Sequence, residues 1–171
     1  MRIYTLVLAA IVLVVCMSLL AEDKKEINFS GEWKLNQEKS QLGEGRGFRG
    51  ASKMVITQKG NDLSIERTSQ RRNGEESVYT EALTLDGKEC TNTIRNNPRT
   101  STANWTDDGK TLTIKSKVVF SRDGNEFEMK SSEIWSLKED GKVLSIDSTS
   151  ETPRGERKAT YVYDKVVAEK K

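Results

Sequence analysis

Four residues carry most of the chemistry available to this chain: Arg67, Tyr79, Glu81 and Glu133. Arg67, Glu81 and Glu133 each interrupt a face of alternating residues that is otherwise apolar, and Tyr79 shares the face of Glu81. Leu63 and Ile65 share a face with Arg67. Tyr79, Leu83 and Leu85 share one with Glu81. Phe127, Met129, Trp135 and Leu137 share one with Ser131 and Glu133. A charge on a face destined for burial is costly unless it is paired or hydrated. Two arrangements satisfy that constraint. In one, a wet cavity lets Arg67, Tyr79, Glu81 and Glu133 anchor the polar group of a ligand, with Trp135 on the apolar wall. In the other, these positions lie past a bulge or at a rim. The first is the pattern of a small-molecule site, mostly apolar with a few placed polar groups. Glu and Tyr acting as acid and base are the catalytic alternative.

Other chemistries lack their residues. The chain has no histidine. That removes the commonest general base and metal ligand, and every imidazole triad. Of two cysteines, Cys16 lies in the N-terminal apolar run, leaving Cys90 for the domain. A lone cysteine forms no intrachain disulfide and no thiolate metal site. Cys90 has only Lys88 nearby to depress its pKa, so it reads as a buried or half-buried small residue. No metal and no cofactor is expected. A net charge of +2 argues against a nucleic-acid binder, which needs a basic field. Arg67, Arg71 and Arg72 form a local basic cluster, either solvated surface or an anion contact. Gly45-Arg46-Gly47-Phe48-Arg49-Gly50 matches G-x-G-x-x-G. A dinucleotide site needs a helix after that loop, and here a strand-like segment follows at Ser52.

The elements that must position these residues are strands. Period-2 alternation recurs in ten segments: Phe29–Asn36, Ser52–Gln58, Asp62–Ser69, Ser77–Leu85, Lys88–Ile94, Thr100–Trp105, Thr111–Phe120, Glu126–Leu137, Lys142–Ser150 and Glu156–Asp164. Asp86-Gly87, Asp108-Gly109, Asp123-Gly124 and Asp140-Gly141 separate several of them, and Asp-Gly is a strong hairpin signal. Glu22–Lys171 shows no convincing 3.6-residue period. Strands without crossover helices pair antiparallel with their sequence neighbours. Such an up-and-down meander exposes two edges unless it closes, so an all-β barrel is expected and a two-sheet sandwich is the second choice.

The N terminus has a different character. Arg2 precedes an apolar run to Ala21, followed by Glu22-Asp23-Lys24-Lys25-Glu26. This is the pattern of a secretory signal over residues 1–21, with the domain over residues 22–171. The run is also nearly long enough to span a bilayer as an uncleaved anchor. Lipid attachment at Cys16 is a third reading. All three place the domain outside the cytoplasm, periplasmic or secreted. They confine any membrane contact to the anchor.

Phe29-Ser30-Gly31-Glu32-Trp33 resembles the Gly-x-Trp motif that opens the first strand of lipocalins. With the DGK-T-L-T-I phrase at Asp108–Ile114 and the closing Pro153-Arg154-Gly155-Glu156 and Tyr161-Val162-Tyr163-Asp164-Lys165, the chain is similar to small exported bacterial lipocalin-like proteins of the calycin group. The resemblance implies a lipocalin-like barrel of eight strands, or ten as in the fatty-acid-binding type. It implies Trp33 as the plug of the closed end, with Arg154 or Arg157 packed over it. It also places the long Gly-rich connection over the open mouth, with Phe48 as a lid residue and Arg46 and Arg49 meeting an anionic ligand.

The expectation is therefore a single exported, non-enzymatic β-barrel of 8–10 strands. It binds a small hydrophobic or amphipathic molecule through Arg67, Tyr79, Glu81, Glu133, Trp135 and Phe48. The alternative is an envelope or protein-interaction module with a side-chain-filled barrel.

Overall fold

The computed structural model describes residues 27–42, 50–70, 73–122, 124–152 and 155–167. Ten strands follow one another: β1 (Gly31–Leu35), β2 (Lys53–Lys59), β3 (Asp62–Gln70), β4 (Glu76–Thr84), β5 (Cys90–Ile94), β6 (Asn97–Trp105), β7 (Thr111–Arg122), β8 (Asn125–Lys138), β9 (Val143–Thr152) and β10 (Gly155–Lys165). They form one antiparallel sheet in the order β4-β3-β2-β1-β10-β9-β8-β7-β6-β5. The β1–β10 ladder (Trp33↔Lys165, Leu35↔Tyr163) joins the first strand to the last. The meander is thereby rolled into a nearly closed barrel.

Turn chemistry explains most of the connections. Gly109, Gly124 and Gly141 take positive φ at the β6–β7, β7–β8 and β8–β9 hairpins, as tight turns of Asp-Gly type require. Arg95 and Asn96 also have positive φ. This two-residue turn runs β6 back to Asn97, earlier than the Thr100 start expected from the sequence. The fourth Asp-Gly pair makes no hairpin. β4 and β5 are the two ends of the sheet order, so Asp86-Gly87 carries the chain across a seam. Asp86 bridges Asn104 of β6, and Gly87 N–H donates to the Ala103 carbonyl at 3.0 Å. A Cβ at Gly87 would overlap the Asn104 side chain, so the close approach needs glycine.

The seam is closed by a side chain. Asn92 of β5 accepts from Ala82 N–H at 2.8 Å and donates its amide to the Ala82 carbonyl at 3.0 Å. One carboxamide thus stands in for a backbone peptide, satisfying β4 groups that an open edge would leave bare.

One end of the barrel is plugged. Trp33 and Phe29 are fully buried, and Trp33 Nε1 donates to the Phe29 carbonyl at 2.9 Å. Phe29 stacks on Trp105 and meets Trp135 edge-on. Gln58 fixes this crossing segment, accepting from Phe29 N–H and donating to the Ile27 carbonyl. The cation over the Trp33 ring is Lys165, 5.1 Å from its centroid. Arg157 is not that cation. It pairs with Ser150, eight residues up β10 from Lys165, or about 26 Å along an extended strand. Arg154 lies outside the described residues.

Candidate functional site

Register places the interior residues in rows across β6 to β9, and the rows change chemistry in sequence. Trp105, Leu112, Trp135 and Ile146 form the row nearest the plug. Ala103, Ile114, Glu133 and Ser148 form the next. Ser101, Ser116, Ser131 and Ser150 form the third, which ends on Arg157 of β10. Small hydroxyl side chains replace large apolar ones on this wall, so the interior surface is more polar away from the plug.

Arg67 projects from β3 into the lumen, between Met54 of β2 and Tyr79 of β4 in register. Its Nη2 donates to Glu133 Oε2 at 2.7 Å, and its Nε lies 3.4 Å from Glu81 Oε2. Arg99 of β6 approaches the other oxygen of Glu81 at 3.0 Å through Nε and donates to Ser116 Oγ at 2.9 Å. Ser101 Oγ donates to Ser116 Oγ at 2.9 Å. Trp135 Nε1 donates to Glu133 Oε2 at 2.9 Å, and the Arg67 guanidinium sits 5.5 Å from a Trp135 ring centroid. Two cations and two anions thus form one chain, Glu133–Arg67–Glu81–Arg99.

Position decides the electrostatics. Burial alone would raise the Glu133 pKa, but the Arg67 and Arg99 charges, with hydrogen bonds from Arg67 and Trp135, bring it below the ordinary value. Burial works against the Arg67 charge, and Glu133, Tyr79 and Glu81 more than offset it, so this guanidinium stays ionised. Burial raises the phenols of Tyr79, Tyr161 and Tyr163. The cluster is therefore ionic with neutral tyrosines around it.

Of the residues singled out from the sequence, Arg67, Glu81, Glu133 and Trp135 meet in direct contact, and Tyr79 borders them. Their place is the interior of the barrel, not a rim. Phe48, Arg46, Arg49, Arg71, Arg72 and residues 1–21 lie outside the described residues. Past the G-x-G-x-x-G loop comes β2, a strand, without the helix a dinucleotide site needs. Cys90 is half-buried, 3.6 Å from Thr84 Oγ1. Among the described residues, no group of three or more His, Cys, Asp and Glu could hold a metal ion. Sequence reasoning missed Arg99. With the expected strand starting at Thr100, Arg99 falls in the connection before it. The signal that recovers it is alternation, since Arg99, Ser101 and Ala103 share one face once the strand starts at Asn97.

Some inward-facing polar surface stays accessible at this level. Glu133 faces inward, alternating with Ile134, which is 44% exposed on the outer face. Yet 14% of the Glu133 side chain remains accessible, as does 12% of Arg99, against 1% of Glu81. Tyr79, Met129 and Ser131, also inward-facing, are half-buried. The accessible inward surface at this level thus lies on Glu133, Arg99, Tyr79, Met129 and Ser131, while Ser101, Ser116 and Ser150 of the third row are buried.

No protein-family model matches the chain, and no curated protein matches it significantly. Among solved structures, the chain is similar to the zebrafish ileal bile acid-binding protein, in its complex with cholic acid. The TM-score is 0.54 and the identity 20%, over 81% of this chain and 98% of that one. The likeness, with the ten-stranded meander, shows a lipocalin-like fold of the calycin type, in its ten-stranded form.

Proposed function

We propose that this protein is an exported, non-enzymatic carrier that holds a small, partly apolar molecule inside its barrel. The observation that carries the proposal is the accessible inward surface of Glu133, beside Ser131 and Met129. A barrel filled by its own side chains would bury those groups. The ligand's apolar part would lie along Val118, Phe120 and Met129, whose side chains line the lumen beyond the serine row. Its polar group would reach Arg67, Tyr79, Glu81 and Glu133, with Trp135 as the wall. Phe48 is proposed as a lid residue over the mouth. That the structurally similar zebrafish protein is described as a bile acid-binding protein supports a ligand-holding use of the fold. Export rests on Arg2 and the apolar run to Ala21.

Native mass spectrometry of protein purified from its own host tests the reading. The expected result is a single small-molecule adduct, released on mild activation. A spectrum of bare protein, with no change in tryptophan fluorescence on adding host lipid extract, would instead favour the side-chain-filled structural module.

A further inference from the structure

Resting on the carrier reading, we infer that the ligand is an uncharged, hydroxyl-bearing amphipath rather than an anionic one. The inference comes from how the charges of the ionic chain are paired among the described residues. Arg67 and Arg99 supply two positive charges, and Glu81 and Glu133 supply two negative ones. Each guanidinium already faces a carboxylate: Arg67 meets Glu133 at 2.7 Å and Glu81 at 3.4 Å, and Arg99 meets Glu81 at 3.0 Å. The position a ligand carboxylate would take is occupied by the protein's own. A further ionised carboxylate would stand beside Glu81 and Glu133 at guanidinium groups that are already paired, and uncompensated buried charge is strongly disfavoured.

The capacity left unused includes a neutral hydroxyl. Ser150 Oγ is buried and makes no hydrogen bond to the protein. Arg67 Nε, Arg99 Nε and Glu81 Oε1 sit near charged partners but off the hydrogen-bond axis. The serine row therefore offers hydroxyl donors and acceptors beside an ionic chain that is already balanced. Arg157 ends this row but is only half-buried, next to solvent that screens it. A hydroxyl can donate to a carboxylate and accept from a guanidinium or serine without altering the balance.

The test is calorimetric binding of a matched pair: a monoacylglycerol and the fatty acid of the same chain, below their aggregation thresholds, at a pH where the acid is ionised. The monoacylglycerol is expected to bind wild-type protein at least about tenfold more tightly. Glu133→Gln, checked for folding by circular dichroism, removes one negative charge and releases Arg67, so the preference should shift toward the fatty acid. Equal or tighter binding of the fatty acid to wild type overturns the inference and leaves the carrier reading intact. Binding of neither probe also overturns it. The carrier reading then stands or falls on the native mass spectrum.

Discussion

Arg67 Nη2 and Glu133 Oε2 meet at 2.7 Å across the lumen, from strands that are not neighbours. Four strands, β2, β1, β10 and β9, separate β3 from β8 in the sheet order. The pair ties opposite walls of the barrel together. Removing one partner of a buried pair strands the other, at a cost of about 3–5 kcal/mol. Arg67→Met and Glu133→Leu are each expected to lose stability on that scale. Arg67→Met with Glu133→Leu removes both charges and leaves Glu81 paired with Arg99, so the double variant should be more stable than the sum of the two losses implies. Urea unfolding of the four proteins checks this, and strictly additive losses would contradict a direct pair.

Glu133 also sets an acid limit. Its pKa is lowered in the folded protein from an ordinary 4.5. A lowered carboxylate pKa contributes stability that is present above the unfolded value and lost as pH falls through the folded one. Wild-type protein should therefore lose stability below about pH 4.5 more steeply than Glu133→Gln, which has no proton to gain there. Urea midpoints measured at neutral and acidic pH decide it. Equal acid losses in the two proteins would remove Glu133 as the cause.

The tyrosines set an alkaline limit of opposite sign. Tyr79, Tyr161 and Tyr163 have raised pKa values, chiefly through burial. A raised pKa contributes stability present below the unfolded value of about 10 and lost as pH rises through the folded value. Absorbance titration of the domain should show these phenols ionising late, and together with unfolding. Three phenols titrating near pH 10 in folded protein would refute their burial.

Much of this was legible in the chain because strand alternation is a local signal. Leu63, Ile65 and Arg67 share a face whatever the topology, so the charge at Arg67 is visible from the sequence without its partners. The fold likewise followed from Asp-Gly turns and the lack of helical periodicity. Pairing across the lumen was not legible. Arg67 and Glu133 are 66 residues apart, and no local pattern links them. Asp86-Gly87 misled for the complementary reason. The dipeptide specifies a backbone bend, while whether the flanking strands pair depends on where the barrel runs out of circumference. Arg99 fell just before the expected strand start at Thr100, whereas β6 begins at Asn97 and tolerates Pro98 because its position opposite Thr93 needs no N–H in the ladder.

The seam is expected to depend on Asn92. Its carboxamide is the bridge to both backbone groups of Ala82. Asn92→Ala leaves a donor and an acceptor to water, at roughly 1–2 kcal/mol for two partly exposed hydrogen bonds. The effect should be local. Amide exchange is expected to accelerate at Ala82 and its β4 neighbours more than in β7 to β9. Asn92→Asp should be worse, because a carboxylate cannot donate to the Ala82 carbonyl. Uniform exchange changes across the sheet would mean that Asn92 is not the bridge.

The plug offers a graded test of the closed end. Trp33 is fully buried, its indole N–H is satisfied by Phe29, and Lys165 covers the ring. Trp33→Ala removes a large core side chain and leaves a cavity under Phe29, an expected loss of about 3–5 kcal/mol. Trp33→Phe keeps most of the volume but leaves the Phe29 carbonyl without its donor, so its loss should be intermediate. Lys165→Met keeps the aliphatic cover and removes only the cation–π attraction, worth about 0.5–1 kcal/mol. Thermal unfolding should rank the variants in that order. If Lys165→Met matched Trp33→Ala, the closed end would depend on the lysine's charge and not on the buried indole.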